Sequence, residues 1–236
     1  MLRNLLYKRT SHHHNFELRG QEIQRIETFS DAVFAFAVTL LIVSLEVPRT
    51  FEELLVSMRG FLAFGICFCL LMLIWHEQHV YFRRYGLQDM TIIVLNCILM
   101  FIVLFFVYPL KFLFTLIFSD NLYGSGKSPF SIKDAEVPQL MVIYSAGYIS
   151  IYLIFFLLYR HALKKKQLLQ LTPIELFDTR TKINSQLILI SIGVLSILTA
   201  FLLPASMAGL SGFVYILIGP AFWIYHAFRG KKRGTI

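Results

Sequence analysis

The sequence lacks the motifs on which most enzymes depend. It has no phosphate-binding glycine loop, no nucleophile elbow and no pair of carboxylates at one depth suited to acid–base chemistry. Charged residues make up only 15% of it, and its three cysteines, Cys67, Cys69 and Cys97, lie in apolar stretches where a thiol behaves as a small hydrophobic group. We therefore expect no enzyme, no bound cofactor and no disulfide framework.

Metal-binding patterns are also scarce. No second ligand cluster accompanies the triplet His12, His13 and His14, so we interpret it as part of a solvated terminal segment. In the His-Glu-Gln-His tract at 76–79, the two histidines are one residue closer than the zinc-protease pattern requires. The sequence therefore predicts no fixed metal site.

Long hydrophobic runs, in contrast, fill most of the chain. Hydrophobic residues make up 57% of the 236 positions, and the mean hydropathy is +0.66, above the range of soluble domains. Each of six apolar blocks reaches the roughly 20 residues that a helix needs to cross a bilayer. The blocks span 23–47, 54–79, 90–117, 138–162, 183–204 and 207–228. They predict an all-α membrane protein with six transmembrane helices in one domain, residues 23–228.

The distribution of basic residues predicts how these spans are oriented. Residues 1–22 contain no apolar run with a cleavage site, so we expect a cytoplasmic N-terminal segment and no signal peptide. If both termini lie on one side, that side holds 17 of the 22 Lys and Arg residues, including those of the basic tail 229–236. The positive-inside rule then makes both termini cytoplasmic. Anionic lipid headgroups are sufficient partners for these basic ends, and nucleic-acid binding is not expected.

The first span carries an ionisable residue inside an apolar run. Asp31 follows Ser30 there, and a carboxylate at that depth costs about 2.5 to 3.5 kcal/mol on insertion scales. We therefore expect Asp31 to be paired and to face protein or water. One stripe of the helix beyond it holds Phe36, Thr39, Leu40, Val43 and Val47. Periodicity alone favours packing of this stripe against lipid or a neighbouring helix.

Polar residues of the next two spans lie at a depth comparable with that of Asp31. Trp75 and His79 are four residues apart and share one face of the second span, and Asn96 comes early in the third. Arg25 is six residues before Asp31, so these two do not share a face. We expect Asp31, His79 and Asn96 to form a joint network that holds the first helix against its neighbours.

The polar start of the first span matches a known signature. Its residues are Arg25, Phe29, Ser30 and Asp31, followed by Ala-Val-Phe-Ala and a Thr-Leu-Leu run. This segment resembles the signature of the transmembrane protein 175 family of potassium channels. Residues of the second and third spans look like those that accompany it in the family, namely Trp75, His79, Asn96 and Pro109.

The resemblance implies a function and an assembly. Single-repeat members of the family are homotetramers that conduct potassium through a pore lined by the first helix, without the usual Thr-Val-Gly-Tyr-Gly filter. On this basis the chain is expected in a prokaryotic plasma membrane, with K⁺ as its permeant ion. The implied constriction consists of Phe36, Thr39, Leu40 and Val43. The implied structural residues are Arg25, Phe29, Ser30, Asp31, Trp75, His79 and Asn96.

Two other classes of function stay open at this point. A proton-coupled or proton-conducting transporter could use Asp31 and His79 as a relay. A membrane scaffold that transports nothing is the simplest alternative. Proton-coupled, saturable uptake favours the first, and liposomes without ion flux favour the second.

Overall fold

The structure is a computed structural model that describes residues 16–233 except 21, 44–48, 52–53, 56–57, 59 and 119–132. Its α-helices are α1 (Arg25–Val43), α2 (Phe61–Tyr85), α3 (Met90–Ile117), α4 (Val137–Lys164), α5 (Pro173–Leu202) and α6 (Ile218–Arg233). Two 3₁₀ segments, Asp134–Glu136 and Ala205–Leu217, precede α4 and α6. The predicted histidine triplet and most of the predicted N-terminal segment lie outside the described residues.

Among the residues that the structure describes, five helical segments are long and apolar enough to cross a membrane. They are Phe61–Tyr85, Met90–Ile117, Val137–Lys164, Pro173–Leu202 and Met207–Gly230. The described part of α1 has 19 residues, among them Arg25, Glu27 and Asp31, and is not one of the five. The all-α membrane architecture is thus confirmed. The sixth span and the cytoplasmic placement of both termini stay predictions.

Two of the predicted spans have different limits in the structure. The second was predicted at 54–79, but α2 continues to Tyr85 and ends where Gly86 adopts a left-handed conformation, with φ of 58°. The fifth was predicted at 183–204. Thr172 and Glu175 instead form a capping box that starts α5 itself, ten residues earlier.

The last predicted span, 207–228, also differs from a single regular helix. Its first half belongs to the 3₁₀ segment Ala205–Leu217, and only the second half belongs to α6. Hydropathy sets the length of an apolar run but does not distinguish 3₁₀ from α geometry, because both satisfy the backbone within the segment. In contrast, the third span was predicted at 90–117, and α3 has those limits.

The helices pack in two groups. In the first group, α1 lies against both α2 and α3, while in the second, α4 makes its most extensive contact with α5. The contact between α3 and α4 joins the two groups. Fully buried aromatic rings fill the centre, where Tyr81 and Tyr85 of α2 meet Tyr159 of α4 at ring-centroid distances of 5.3 and 6.0 Å.

Residues 16–20, which we call the N-terminal strap, lie across the ends of α2 and α5. Gly20 exchanges two hydrogen bonds with Arg83: its N–H donates to the Arg83 carbonyl (3.1 Å), and Arg83 Nη1 donates to the Gly20 carbonyl (2.9 Å). Arg19 donates hydrogen bonds to both carboxylate oxygens of Glu175, at 3.0 and 2.9 Å. A Cβ at position 20 would meet the Phe82 carbonyl oxygen at 2.4 Å, so this contact requires glycine.

Candidate pore-lining helix and its polar anchors

One face of α1 is buried in its own chain. Ser30, Phe34, Ala37 and Leu41 recur at intervals of four, three and four residues, and none is more than 1% exposed. This spacing describes one stripe of an α-helix, which here packs against α2 and α3. The helix is therefore fixed to its own subunit along this side.

The opposite face of α1 is uncovered by the chain. Phe29 is 57% exposed and Phe36 is 56% exposed, and Ala32, Ala35 and Thr39 lie exposed beside them. Large apolar side chains on a helix that is already anchored on its other side need lipid or another protein surface to cover them. Two of the four predicted constriction residues, Phe36 and Thr39, lie on this face.

The predicted constriction residues differ in how they are placed. Phe36 and Thr39 are on the uncovered face, whereas Leu40 is half-buried against the core. Val43 ends α1, and its side chain lies outside the described residues. The Thr39 hydroxyl donates to the carbonyls of Ala35 (2.9 Å) and Phe36 (2.8 Å). Because its proton is held by the backbone, the hydroxyl offers its oxygen outward as an acceptor.

A chain of buried hydrogen bonds links the first three helices at Ser30. Asn96 Nδ2 of α3 donates to Ser30 Oγ (2.8 Å), which itself donates to the Ile26 carbonyl (2.8 Å). Gln78 of α2 donates to Asn96 Oδ1. Ser30, Gln78 and Asn96 are each at most 2% exposed. Sequence reasoning had identified Ser30 and Asn96 but missed Gln78, because it lies in the polar tract at 76–79, where its amide does not stand out from its neighbours.

A separate contact holds Asp31. Trp75 Nε1 donates to Asp31 Oδ1 (2.7 Å), and His79 stacks on the Trp75 ring with a centroid distance of 5.5 Å. The sequence predicted one network of Asp31, His79 and Asn96. Instead, Asn96 contacts Ser30, and His79 reaches Asp31 only through the indole. Adjacent residues of a helix point about 100° apart, so Ser30 and Asp31 face different neighbours.

The remaining two signature residues make no comparable contact. Arg25 is exposed and forms no ion pair or side-chain hydrogen bond within the described residues, and Phe29 belongs to the uncovered face. Further along α1, Lys111 of α3 donates to the Leu41 carbonyl (2.8 Å). Lys111 therefore ties α3 to α1.

A cavity of about 580 Å³ lies away from α1, among α2, α4, α5 and α6. Glu77 of α2 lines this cavity. Its carboxylate accepts hydrogen bonds from Lys182 Nζ (2.9 and 2.7 Å) and from Tyr159 Oη (2.7 Å). Gln186 Nε2 donates to the same carboxylate at 3.3 Å, while its Oε1 is buried without a donor among the described side chains. Contacts this far apart in sequence gave no signal in the motif analysis.

Comparison with known proteins adds to this geometry. The family described as endosomal/lysosomal potassium channel TMEM175 matches residues 25–107. A potassium channel of Marivirga tractuosa is 40% identical over 232 residues, which cover 92% of each chain. A potassium channel of Chamaesiphon minutus is 32% identical over 96 residues, covering 37% of this chain and 47% of the relative.

Solved structures agree with the helical architecture. The crystal structure of a variant of the potassium channel MtTMEM175, bound to a nanobody–MBP fusion protein, has a TM-score of 0.80 and 38% identity, covering 92% of this chain and 97% of that one. The TMEM175 homologue of Chamaesiphon minutus has a TM-score of 0.56 at 21% identity, covering 87% and 96%, and shows the shared fold.

The helical membrane fold, the signature on α1 and these relatives, which are named as potassium channels, together define an integral membrane potassium channel. Within that class, the chain belongs to the TMEM175 family and resembles its prokaryotic members.

Proposed function

We propose that the protein conducts potassium in preference to sodium, as a homotetramer in a prokaryotic plasma membrane, through a central pore lined by α1. The uncovered apolar face of α1 is the observation that carries this proposal. A single subunit leaves Phe29 and Phe36 more than half exposed, although the opposite face of the same helix is fully packed. Four copies around an axis would cover this face and enclose a narrow path.

The constriction would consist of four-fold layers of Phe36, Thr39, Leu40 and Val43. Large apolar rings close a path by excluding water, and potassium sheds its hydration shell at lower cost than sodium. The four Thr39 hydroxyls would replace part of the lost hydration, since each has its proton bound to its own backbone and its oxygen free to accept. K⁺ is in this view a permeant ion and occupies no fixed metal site.

The other signature residues would hold α1 in place. Ser30 and Asp31 fix it to α3 and α2 through Asn96 and Trp75, respectively. Arg25 and Phe29, for which the described residues of the same chain provide no such partners, are suited to contacts between subunits. This division of roles supports a rigid pore wall, because the hydrogen bonds that anchor α1 stay intact while an ion passes.

The basic ends of the chain suit the cytoplasmic leaflet. With both termini in the cytoplasm, the tail 229–236 and the loops after the second and fourth helices would face anionic headgroups. Basic residues in this position contribute about 1 kcal/mol each to attraction by such a surface.

Reversal potentials of the purified protein in planar bilayers test the proposal. Under bi-ionic conditions we expect a potential that reports a higher permeability for potassium than for sodium. Equal permeabilities would contradict selectivity, a current carried by protons would favour the relay through Asp31 and His79, and the absence of current would favour a scaffold.

Replacement of Thr39 tests the constriction itself. Thr39→Ala removes the hydroxyl without adding bulk, so we expect an intact tetramer with an altered permeability ratio. Thr199→Ala on α5 is the matched control, because the Thr199 hydroxyl also donates to its own helix backbone, at 3.0 and 2.9 Å. An unchanged ratio in Thr39→Ala would exclude this residue from the selectivity layer.

A further inference from the structure

Two arginines that line the cavity among α2, α4, α5 and α6 have no acidic partner among the described residues. Arg84 lies over the Phe16 ring at 5.0 Å, and Arg229 lies over the Phe177 ring at 4.6 Å. Arg229 Nε also donates to Tyr225 Oη (3.1 Å). Neither guanidinium forms an ion pair within the described part of the chain. Both are half-buried, lie over aromatic rings and line the cavity.

The charges that line the cavity sum to a positive value. Glu77 and Lys182 neutralise each other at 2.7 Å across the interior. Asp178 is the other acidic residue of the lining, where Arg84 and Arg229 are two further basic ones. Apart from the Glu77–Lys182 pair, the lining thus has two positive charges and one negative charge. An anionic group at the rim would therefore be attracted.

The deeper wall of the cavity is apolar and belongs to the spanning helices. It is formed by Leu73, Ile74, Phe155, Leu189, Ile218 and Phe222. The volume of about 580 Å³ falls within the range of roughly 300 to 1,000 Å³ that is usual for ligand sites. A soluble anion uses the rim alone, whereas an acyl chain uses both the rim and this wall.

We propose that this cavity binds one anionic phospholipid of the leaflet facing the termini. Its phosphate is held between the guanidinium groups of Arg84 and Arg229, and an acyl chain lies along the apolar wall. Paired guanidinium donors suit a phosphate because they form charge-assisted hydrogen bonds to several of its oxygens. The site is independent of α1 and of the ion path.

Lipid binding to the purified full-length protein tests this site. Native mass spectrometry would compare dioleoyl phosphatidylglycerol with dioleoyl phosphatidylcholine at matched concentrations. We expect tighter binding of phosphatidylglycerol, and a loss of roughly tenfold or more in its affinity for the double variant R84Q/R229Q. The matched control is R160Q/R180Q, which removes the same charge from two exposed arginines outside the lining, and its affinity should stay within about twofold.

A second variant tests the acyl-chain wall without changing any charge. Ile218→Trp places a larger side chain in the cavity beside that wall and should weaken phosphatidylglycerol binding. It also tests the proposal if the variant R84Q/R229Q does not fold. Inorganic phosphate in excess should not displace the lipid. The proposal is overturned if both lipids bind alike, if the control loses as much affinity as the rim variant, if Ile218→Trp binds normally, or if phosphate displaces the lipid and so identifies a soluble anion as the ligand.

Discussion

Replacing Asn96 by alanine tests how α1 is held. The change removes two buried hydrogen bonds, one to Ser30 and one from Gln78. Interhelical hydrogen bonds in membrane proteins average about 0.6 kcal/mol each, so the two contribute roughly 1 kcal/mol. Gln78, 2% exposed, is then left with an unpaired amide at a cost of about 1 to 3 kcal/mol. The expected loss of unfolding free energy is therefore about 2 to 4 kcal/mol.

Unfolding of the purified protein by SDS in mixed micelles, followed by circular dichroism, gives this free energy. Ser191→Ala is a suitable control, because the Ser191 hydroxyl is exposed on α5 and donates only to its own helix, at 2.8 Å. A double-mutant cycle with Ser30→Ala should give a coupling of at least about 0.6 kcal/mol with Asn96→Ala. A loss below about 0.5 kcal/mol, or strictly additive effects, would refute the network.

Three further changes test other contacts. Asp31→Ala leaves the Trp75 indole unpaired and should reduce tetramer yield on size exclusion, while Asp31→Asn keeps an acceptor and should lose less; equal yields would contradict an anchoring role. Lys182→Met leaves the partly buried Glu77 without its counter-charge and should destabilise the fold by about 1 to 3 kcal/mol in the same SDS assay, with recovery when Glu77→Gln is added. Gly20→Ala places a Cβ against the α2 backbone, so we expect faster proteolysis of the strap at unchanged helix content; unaltered protection would show that the strap does not need this contact.

The membrane architecture was predictable because it depends on local composition. The limits of α3 follow from a predominantly apolar run after Asp89, and α5 starts at Thr172 and Glu175, a pattern that marks a helix start and here forms a capping box. What the pattern did not tell was that these two residues begin the spanning helix itself. A cap marks where a helix starts but carries no information on how far it continues.

The anchors were only partly predictable, because depth in the membrane does not specify direction. Ser30, Asp31 and Asn96 were all recognised as polar groups at one level, yet the pairing depends on how α1 is rotated against α2 and α3. That rotation is set by packing of Phe34 and Leu41, whose type does not distinguish them from neighbours that stay uncovered. Glu77 and Lys182 are 105 residues apart in sequence and lie on different helices, so no local sequence pattern predicts their contact.

Substitutions on the two faces of α1 should affect an assembled channel in different ways. A substitution at Phe34, on the buried face, acts within one subunit, so its damage is limited to the copies that carry it. A substitution at Phe36, on the uncovered face, enters the shared path of the proposed tetramer once per subunit. In a cell that co-expresses the altered and the unaltered gene, mixed tetramers would then carry zero to four altered side chains. Conductance should change in graded steps with the ratio of the two transcripts.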